Sequence, residues 1–331
     1  MICVTHYLRR PGYGYSVERL YEDVRAHLPE DIQVSIFISR FFSRGLFGRL
    51  YDIVCAPRYQ GDVNHVTGDV HFLTYLLNRR RSVLTILDCV TLERLRGFKR
   101  WLFWLFWYWL PEKRCAAITV ISEATRRQVL QHLRCDPDKV RVIYCNVSDK
   151  FIPVQQQFNA SRPRLLQIGT QANKNLERLA AALDGLDCIL VIIGHLSHGQ
   201  IYKLKQHRVC YENHADLSLD ALVEQYHRCD VVVFPSTYEG FGLPIVEANA
   251  VGRAIVTSNI WSMPEVAGDA ACLVDPFNVA SIRTGICRVI EDEAYREHLV
   301  ERGFENVKRF QIEVIAAQYA ALYRSVNKDC N

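Results

Sequence analysis

No uninterrupted apolar run of roughly 18 residues occurs in the 331-residue chain, which excludes a bilayer-spanning helix. Twelve cysteines are present, but no two form a C-x-x-C pair, so the clustered spacing of a zinc framework is absent. Several sit in apolar runs (Cys55, Cys89, Cys145, Cys272), the pattern of buried thiols in a reducing compartment. The G-x-G-x-x-G fingerprint is missing from the first crossover, which disfavours a nicotinamide-dependent oxidoreductase. No short-period repeat is visible. The first eight residues, Met1–Leu8, run directly into Arg9-Arg10; that is too short for a secretory signal and reads as a first strand. A cytoplasmic protein is the expectation.

What is present is an alternation of two periodicities. Strand-like runs at 1–7, 32–39, 63–67, 82–88, 116–121 and 140–145 are separated by amphipathic stretches near 15–28, 70–78, 90–110 and 122–134. A polar connection at 146–163 follows, carrying Gln155-Gln156-Gln157 and two prolines. The alternation then resumes, with strands at 164–169, 188–194, 208–212, 231–235, 254–257 and 271–275. Its helices lie near 174–184, 197–206, 218–228, 243–251, 278–292, 294–309 and 312–326. Such a pattern predicts parallel sheets with helices on both faces, in two domains, 1–150 and 151–331. Charge is unevenly shared between them. Residues 1–150 hold 23 Lys+Arg against 15 Asp+Glu, a balance of +8, and the remainder hold 17 against 21, a balance of −4. A basic first half suits an anionic partner, though ordinary solvated charge explains it equally.

The most informative stretch is Val231–Ala250. A β-branched run is stopped by Pro235 and Ser236, Gly240 and Gly242 permit a tight turn, and Pro244 suits the first turn of a helix that Gly252 closes. Strand, glycine turn and helix start make an anion site, with the N–H groups of Phe241, Gly242 and Leu243 at its mouth. Glu239 and Glu247 flank it. Carboxylates repel phosphate, so they suit hydroxyls beside it, and a diphosphate between two hydroxyl-rich rings fits: a nucleotide sugar. The crossover Gly169-Thr170-Gln171-Ala172-Asn173-Lys174 supplies a second glycine turn and a cation for the same diphosphate.

At Glu239 to Glu247, within Glu-Gly-Phe-Gly-Leu-Pro, the chain resembles the retaining GT-B glycosyltransferases of family 4 (glycosyl transferases group 1). The resemblance is strong over 164–310 and looser over 1–145. It implies an α/β fold of the GT-B type, two doubly wound Rossmann-like domains facing across a cleft, with a last helix near 311–327 packing back on the first. It implies a retaining, metal-independent transfer of a hexose from a GDP- or UDP-linked donor to a hydroxyl acceptor, in cell-surface polysaccharide, lipopolysaccharide or glycolipid synthesis. No cofactor, no metal and no nucleic acid are implied. Catalytic roles fall on Glu239, Lys174, His71 and Asp88. Donor contacts fall on Gly14, Gly169, Thr170, Lys174, Gly240, Phe241, Gly242, Leu243 and Glu247. Two departures, Leu87 where the family often has His and Asn173 where it often has Arg, leave room for a non-catalytic binding subunit of the same fold; a nucleotide-sugar hydrolase or epimerase of that fold is the other alternative.

Four polar residues at strand ends, His65, Asp69, His71 and Asp88, are candidates for holding a sugar. Asp136-Pro137-Asp138 reads as a turn rather than a metal motif. The run Lys99–Leu110 carries four of the five tryptophans and is ended by Pro111, with Lys113-Arg114 beyond. It suits three settings: contact with an anionic membrane through 99–114 at the inner face, a buried crossover helix, or a partner surface.

Overall fold

Short, mostly β-branched and aliphatic runs, buried on both faces, form the strands of two all-parallel sheets, the pattern that helices on both sides demand. The computed structural model describes residues 1–10, 16–41 and 45–328. Gly14 lies outside the described residues. Two units are defined, Met1–Asn146 with Ile312–Asn331, and Val147–Gln311.

The first unit contains β1 (Ile2–Leu8), α1 (Ser16–Ala26), β2 (Ile32–Ile38), α2 (Leu46–Cys55), β3 (Val63–Val66), β4 (Ser82–Ile86), α3 (Val90–Arg94), α4 (Gly97–Trp104), α5 (Leu110–Lys113), β5 (Ala117–Val120), α6 (Glu123–Leu133) and β6 (Val140–Val142). Its sheet order is β2-β1-β3-β4-β5-β6. The chain steps from β1 to β2 on one side, then returns to place β3 on the other. The loops after β1 and β3 therefore part company and leave a crevice at the strand carboxyl ends.

The second unit contains β7 (Arg164–Ile168), α7 (Leu176–Ala182), β8 (Ile189–Ile193), α8 (His198–Gln206), β9 (Tyr211–His214), α9 (Leu219–Arg228), β10 (Val231–Phe234), α10 (Leu243–Val251), β11 (Ala254–Ser258), α11 (Met263–Ala267), β12 (Cys272–Val274), α12 (Val279–Glu291) and α13 (Glu293–Val307). Its order, β12-β11-β10-β7-β8-β9, puts the reversal between β7 and β10. From Pro244 onward every residue of α10 is buried, the polar Glu247 and Asn249 included.

The last helix, α14 (Ile312–Lys328), belongs to the first unit. Its Tyr323 hydroxyl meets His6 Nε2 at 2.9 Å and His65 Nδ1 at 2.8 Å. The second nitrogen of His65 meets Thr85 Oγ1 at 2.7 Å, and Tyr21 bonds the same threonine and Tyr319. His65 is thus a core residue, fully enclosed, and not a sugar ligand.

Three local readings need correction. Residues 70–78 form only a 3-10 helix, His71–Leu76, where Thr74 bonds back to the His71 carbonyl at 2.8 Å and competes with a longer α-helix. The stretch 90–110 is not one helix: Leu95 is extended and Gly97 adopts φ +58, so α3 and α4 are separate. Pro111 does not end the aromatic run, because helix continues through Leu110–Lys113. Helix α2 had no sequence signal, since Gly45 offers no capping side chain and Gly48 lies inside it.

Candidate functional site

In the second unit the loops that follow β7 and β10 meet at the switch point. Gly169 leaves β7 with φ +86, a left-handed conformation that L side chains avoid. A 3-10 turn, Ala172–Lys174, follows, and Asn175 at φ 60 opens α7. Asn175 Nδ2 donates to the carbonyls of Pro235 at 2.9 Å and Pro276 at 2.7 Å, binding the first loop to the second. Thr237 N–H donates to the Asn173 carbonyl at 2.8 Å.

These loops bring Lys174 and Glu239 together. The ammonium Nζ lies 2.7 Å from Glu239 Oε1, with side chains only 16% and 13% exposed. Asn173 Nδ2 donates to the same oxygen at 3.1 Å and to the Tyr238 carbonyl at 2.9 Å. Lys174 therefore sits in the turn before α7, held by a carboxylate and stacked 4.7 Å over the Phe234 ring. Its three N–H donors leave it able to hold Glu239 and an anion at once.

Gly242, at φ +106, is the N-cap of α10 and contributes no capping side chain. Gly240, Phe241 and Leu243 complete that turn, in which Ser262 Oγ reaches the Glu239 and Phe241 carbonyls at 2.9 and 2.8 Å. The Phe241 ring is core, edge-on to Phe310, so its side chain is withdrawn from the loop surface. Glu247 lies in the second turn of α10 rather than the first, because the helix begins at Leu243. It is buried, and Tyr226 donates its hydroxyl to Oε2 at 2.5 Å. Thr170 Oγ1 donates to the His195 carbonyl at 2.7 Å, and Gly194 makes that approach possible, since a Cβ there would lie 3.1 Å from Thr170.

In the first unit, a cavity of about 390 Å3 opens at the carboxyl ends of β1, β3 and β4, lined by Arg9, Asp69, His71, Asp88, Trp107 and Tyr108 among others. Arg9 pairs with Glu18 at 2.8 Å and approaches Asp69 at 3.7 Å. His71 is buried, its Nδ1 2.6 Å from the Trp107 carbonyl. Burial lowers its pKa, an effect the Trp107 carbonyl and the Asp69 charge partly offset. Asp88 caps the turn before α3, Oδ1 accepting from Val90 N–H at 3.0 Å, while its carbonyl accepts the Tyr108 hydroxyl at 3.0 Å.

The two groups of residues lie in different units, so Lys174 and Glu239 form one constellation and His71 and Asp88 another. Sequence reading missed Tyr226 and the anchoring parts played by Ser262 and Asn173; Ser262 left a trace in a stretch, 262–269, that matches the family, and Asn173 as a family departure. It also missed Trp261, at φ 59 and 38% exposed, whose ring lies 4.8 Å from that of Tyr238. Asp136 accepts from Asp138 N–H at 3.0 Å, an ordinary turn. Another cavity, about 890 Å3, lies at the amino ends of β10 and β11, the end of a parallel sheet away from ligands. Its Arg253 is occupied by the carbonyls of Cys229, Val154 and His227.

The aromatic run divides between core and surface. Tyr108 is buried and Trp107 packs on the core, whereas Phe98 is 70% and Trp101 50% exposed. Among the described residues no helix is long and apolar enough to cross a membrane.

A parallel six-stranded sheet in each unit, with a loop-lined switch point, is the architecture of the GT-B fold. Solved structures agree in fold: sucrose-phosphate synthase from Thermosynechococcus elongatus superposes with a TM-score of 0.78 at 18% identity, covering 98% of each chain. Anabaena HepE in complex with UDP-glucose gives 0.77 at 16% identity, covering 97% of this chain and 99% of that one. The family model for glycosyl transferases group 1 matches residues 148–306, and that for glycosyltransferase family 4 matches 6–151. The chain belongs to the glycosyl transferases group 1/family 4. Among curated relatives, the Escherichia coli O-antigen chain mannosyltransferase B is 40% identical over 99 residues, 30% of this chain and 26% of that protein. The chain spans about a quarter of the length of the curated relatives it matches first.

Proposed function

We propose that the chain transfers a hexose, with mannose the first candidate, from a GDP- or UDP-linked donor to a hydroxyl of a saccharide or lipid-linked saccharide in cell-surface polysaccharide synthesis. The observation that carries this is the Lys174–Glu239 pair, held 2.7 Å apart beside the glycine-capped start of α10. A cation and helix amides together suit a diphosphate, and a carboxylate beside them suits sugar hydroxyls. The likeness to HepE in complex with UDP-glucose and to a mannosyltransferase supports this class of donor and sugar.

As the diphosphate departs, negative charge grows on its oxygens. The α10 amides and Lys174 stabilise it as preorganised dipoles and charge, without a metal. Glu239, fixed by Lys174 and Asn173 at one oxygen, orients the donor sugar. Glu247, with Tyr226 at Oε2, holds the ribose hydroxyls. The 390 Å3 cavity has room for a sugar ring, and with His71, Asp88 and Trp107 around it serves the acceptor. Transfer proceeds with retention, the acceptor entering on the face the diphosphate leaves. Exposed Phe98 and Trp101 with Lys99 and Arg100 rest on an anionic leaflet, which puts the chain at the inner face of the cytoplasmic membrane.

The test is incubation with GDP- and UDP-hexoses and oligosaccharide acceptors in chelator, with NMR of the product anomeric proton. Transfer with retained configuration is expected. Free sugar released equally without acceptor would contradict it and favour hydrolysis.

A further inference from the structure

The aromatic helix carries a backbone fault that the reaction above does not use. In an unbroken α-helix the Phe106 and Trp107 carbonyls would accept from the amides of residues 110 and 111. Residue 111 is proline and brings no N–H. The Leu110 amide is diverted to the Leu105 carbonyl, the wider spacing of the π-turn Leu105–Trp109. Phe106 thereby loses both helical donors, since its α partner bonds elsewhere and its π partner would be Pro111. Two side chains of the 3-10 helix His71–Leu76 supply the protons instead. The Tyr75 hydroxyl donates to the Phe106 carbonyl, and His71 Nδ1 lies 2.6 Å from the Trp107 carbonyl.

A carbonyl only accepts, so the proton resides on Nδ1, and a neutral ring then offers Nε2 as its acceptor. The groups facing the imidazole are Asp69 and the Gly68 carbonyl from the loop after β3, Arg9 after β1, Asp88 after β4, and Tyr108, whose ring stands edge-on at 5.6 Å.

We propose that Pro111 is a positioning residue: by withholding an amide proton from the helix it commits the Trp107 carbonyl to His71 and fixes that ring in its Nδ1–H tautomer. Its effect on transfer rests on the reading that the cavity beside His71 takes the acceptor, but its effect on the tautomer does not. A regular helix with alanine at 111 would offer its own N–H to the Trp107 carbonyl, which would then divide its acceptor capacity between helix and imidazole and loosen the ring's orientation. The proline thus sets a hydrogen-bond polarity at the cavity from a residue outside it.

Long-range nitrogen–proton NMR of the imidazoles in the full chain tests this. At neutral pH the wild-type His71 signals should show Nδ1 protonated and Nε2 bare; an Nε2–H or cationic ring overturns the proposal with no variant needed. In Pro111→Ala the Nε2–H form should grow in, and an unchanged Nδ1–H ring in the folded variant overturns it. Should that variant not fold, a backbone ester between Trp107 and Tyr108 weakens the same carbonyl while keeping every side chain, with the same two outcomes. Acceptor kcat/KM should fall by roughly three- to tenfold in Pro111→Ala, the worth of one neutral hydrogen bond, with donor KM unchanged. Wild-type turnover in His71→Ala would remove the acceptor reading and leave the tautomer result standing.

Discussion

Lys174 Nζ and Glu239 Oε1 lie 2.7 Å apart although 65 residues separate them in sequence, and Asn173 binds the same oxygen. Neighbouring strands β7 and β10 end side by side, so the loops that follow them must converge. The charge pair is therefore a product of sheet order. On the proposed function, a donor diphosphate would meet a lysine already aimed by its carboxylate, and the same lysine would hold that carboxylate for the sugar.

Removing either partner separates the two roles. Glu239→Ala should cut kcat by about tenfold or more, since the sugar loses its orienting carboxylate. Lys174→Ala should raise donor KM as well as lower kcat, since the lysine meets the diphosphate in the ground state and also the charge that grows as it leaves. Steady-state kinetics with varied donor distinguishes them, and equal loss in both parameters for both variants would contradict the division.

The Glu247 carboxylate depends on Tyr226. Tyr226→Phe keeps the ring and removes the donor from a buried carboxylate, at a cost of about 1–3 kcal/mol. Thermal melting should detect that loss, and donor titration of the folded variant should show weaker affinity. An unchanged midpoint would mean that the hydroxyl contributes nothing.

Gly169 tests the loop geometry. Alanine there would adopt φ +86 with its Cβ 3.0 Å from Lys174 Cε. Gly169→Ala should cost about 1–2 kcal/mol and displace the lysine, raising donor KM. Unaltered donor affinity would show that the lysine's exact seat is unimportant.

Acid should weaken the first unit through its buried histidines. Burial lowers His65 from 6.5 to about 3 and lowers His6 as well, with the neighbouring His65 and Arg25 adding to the latter. The unfolded chain then binds more protons, so this stability is complete above about pH 6.5 and is lost as pH falls toward 3. Urea midpoints measured from pH 7 to 5 should decline, and His65→Gln should flatten the decline. An equally steep slope in that variant would contradict the assignment.

Much of the second unit was legible because its signals are local. Val231–Phe234 is β-branched, Gly242 takes a positive φ, Pro244 opens α10 and Gly252 closes it, all within one stretch. What was not legible depends on residues far apart. Tyr226 reaches Glu247 across 21 residues, and His71 reaches the Trp107 carbonyl across 36. Neither contact has a periodicity or a motif. His65 was misjudged for the same reason: a strand-end histidine looks available until α14 brings Tyr323 against it. The stretch 90–110 was read as one helix because Leu95 and Arg96 carry no stop signal, and the break ahead of the aromatic run comes from backbone conformation at Leu95 and Gly97.

The most direct measurement is a crystal structure with an intact nucleotide-sugar donor bound. The account predicts the diphosphate against the amides that open α10, with a phosphate oxygen on Lys174 Nζ and the hexose hydroxyls on Glu239. A nucleotide lodged elsewhere, or a diphosphate out of reach of Lys174, would contradict it.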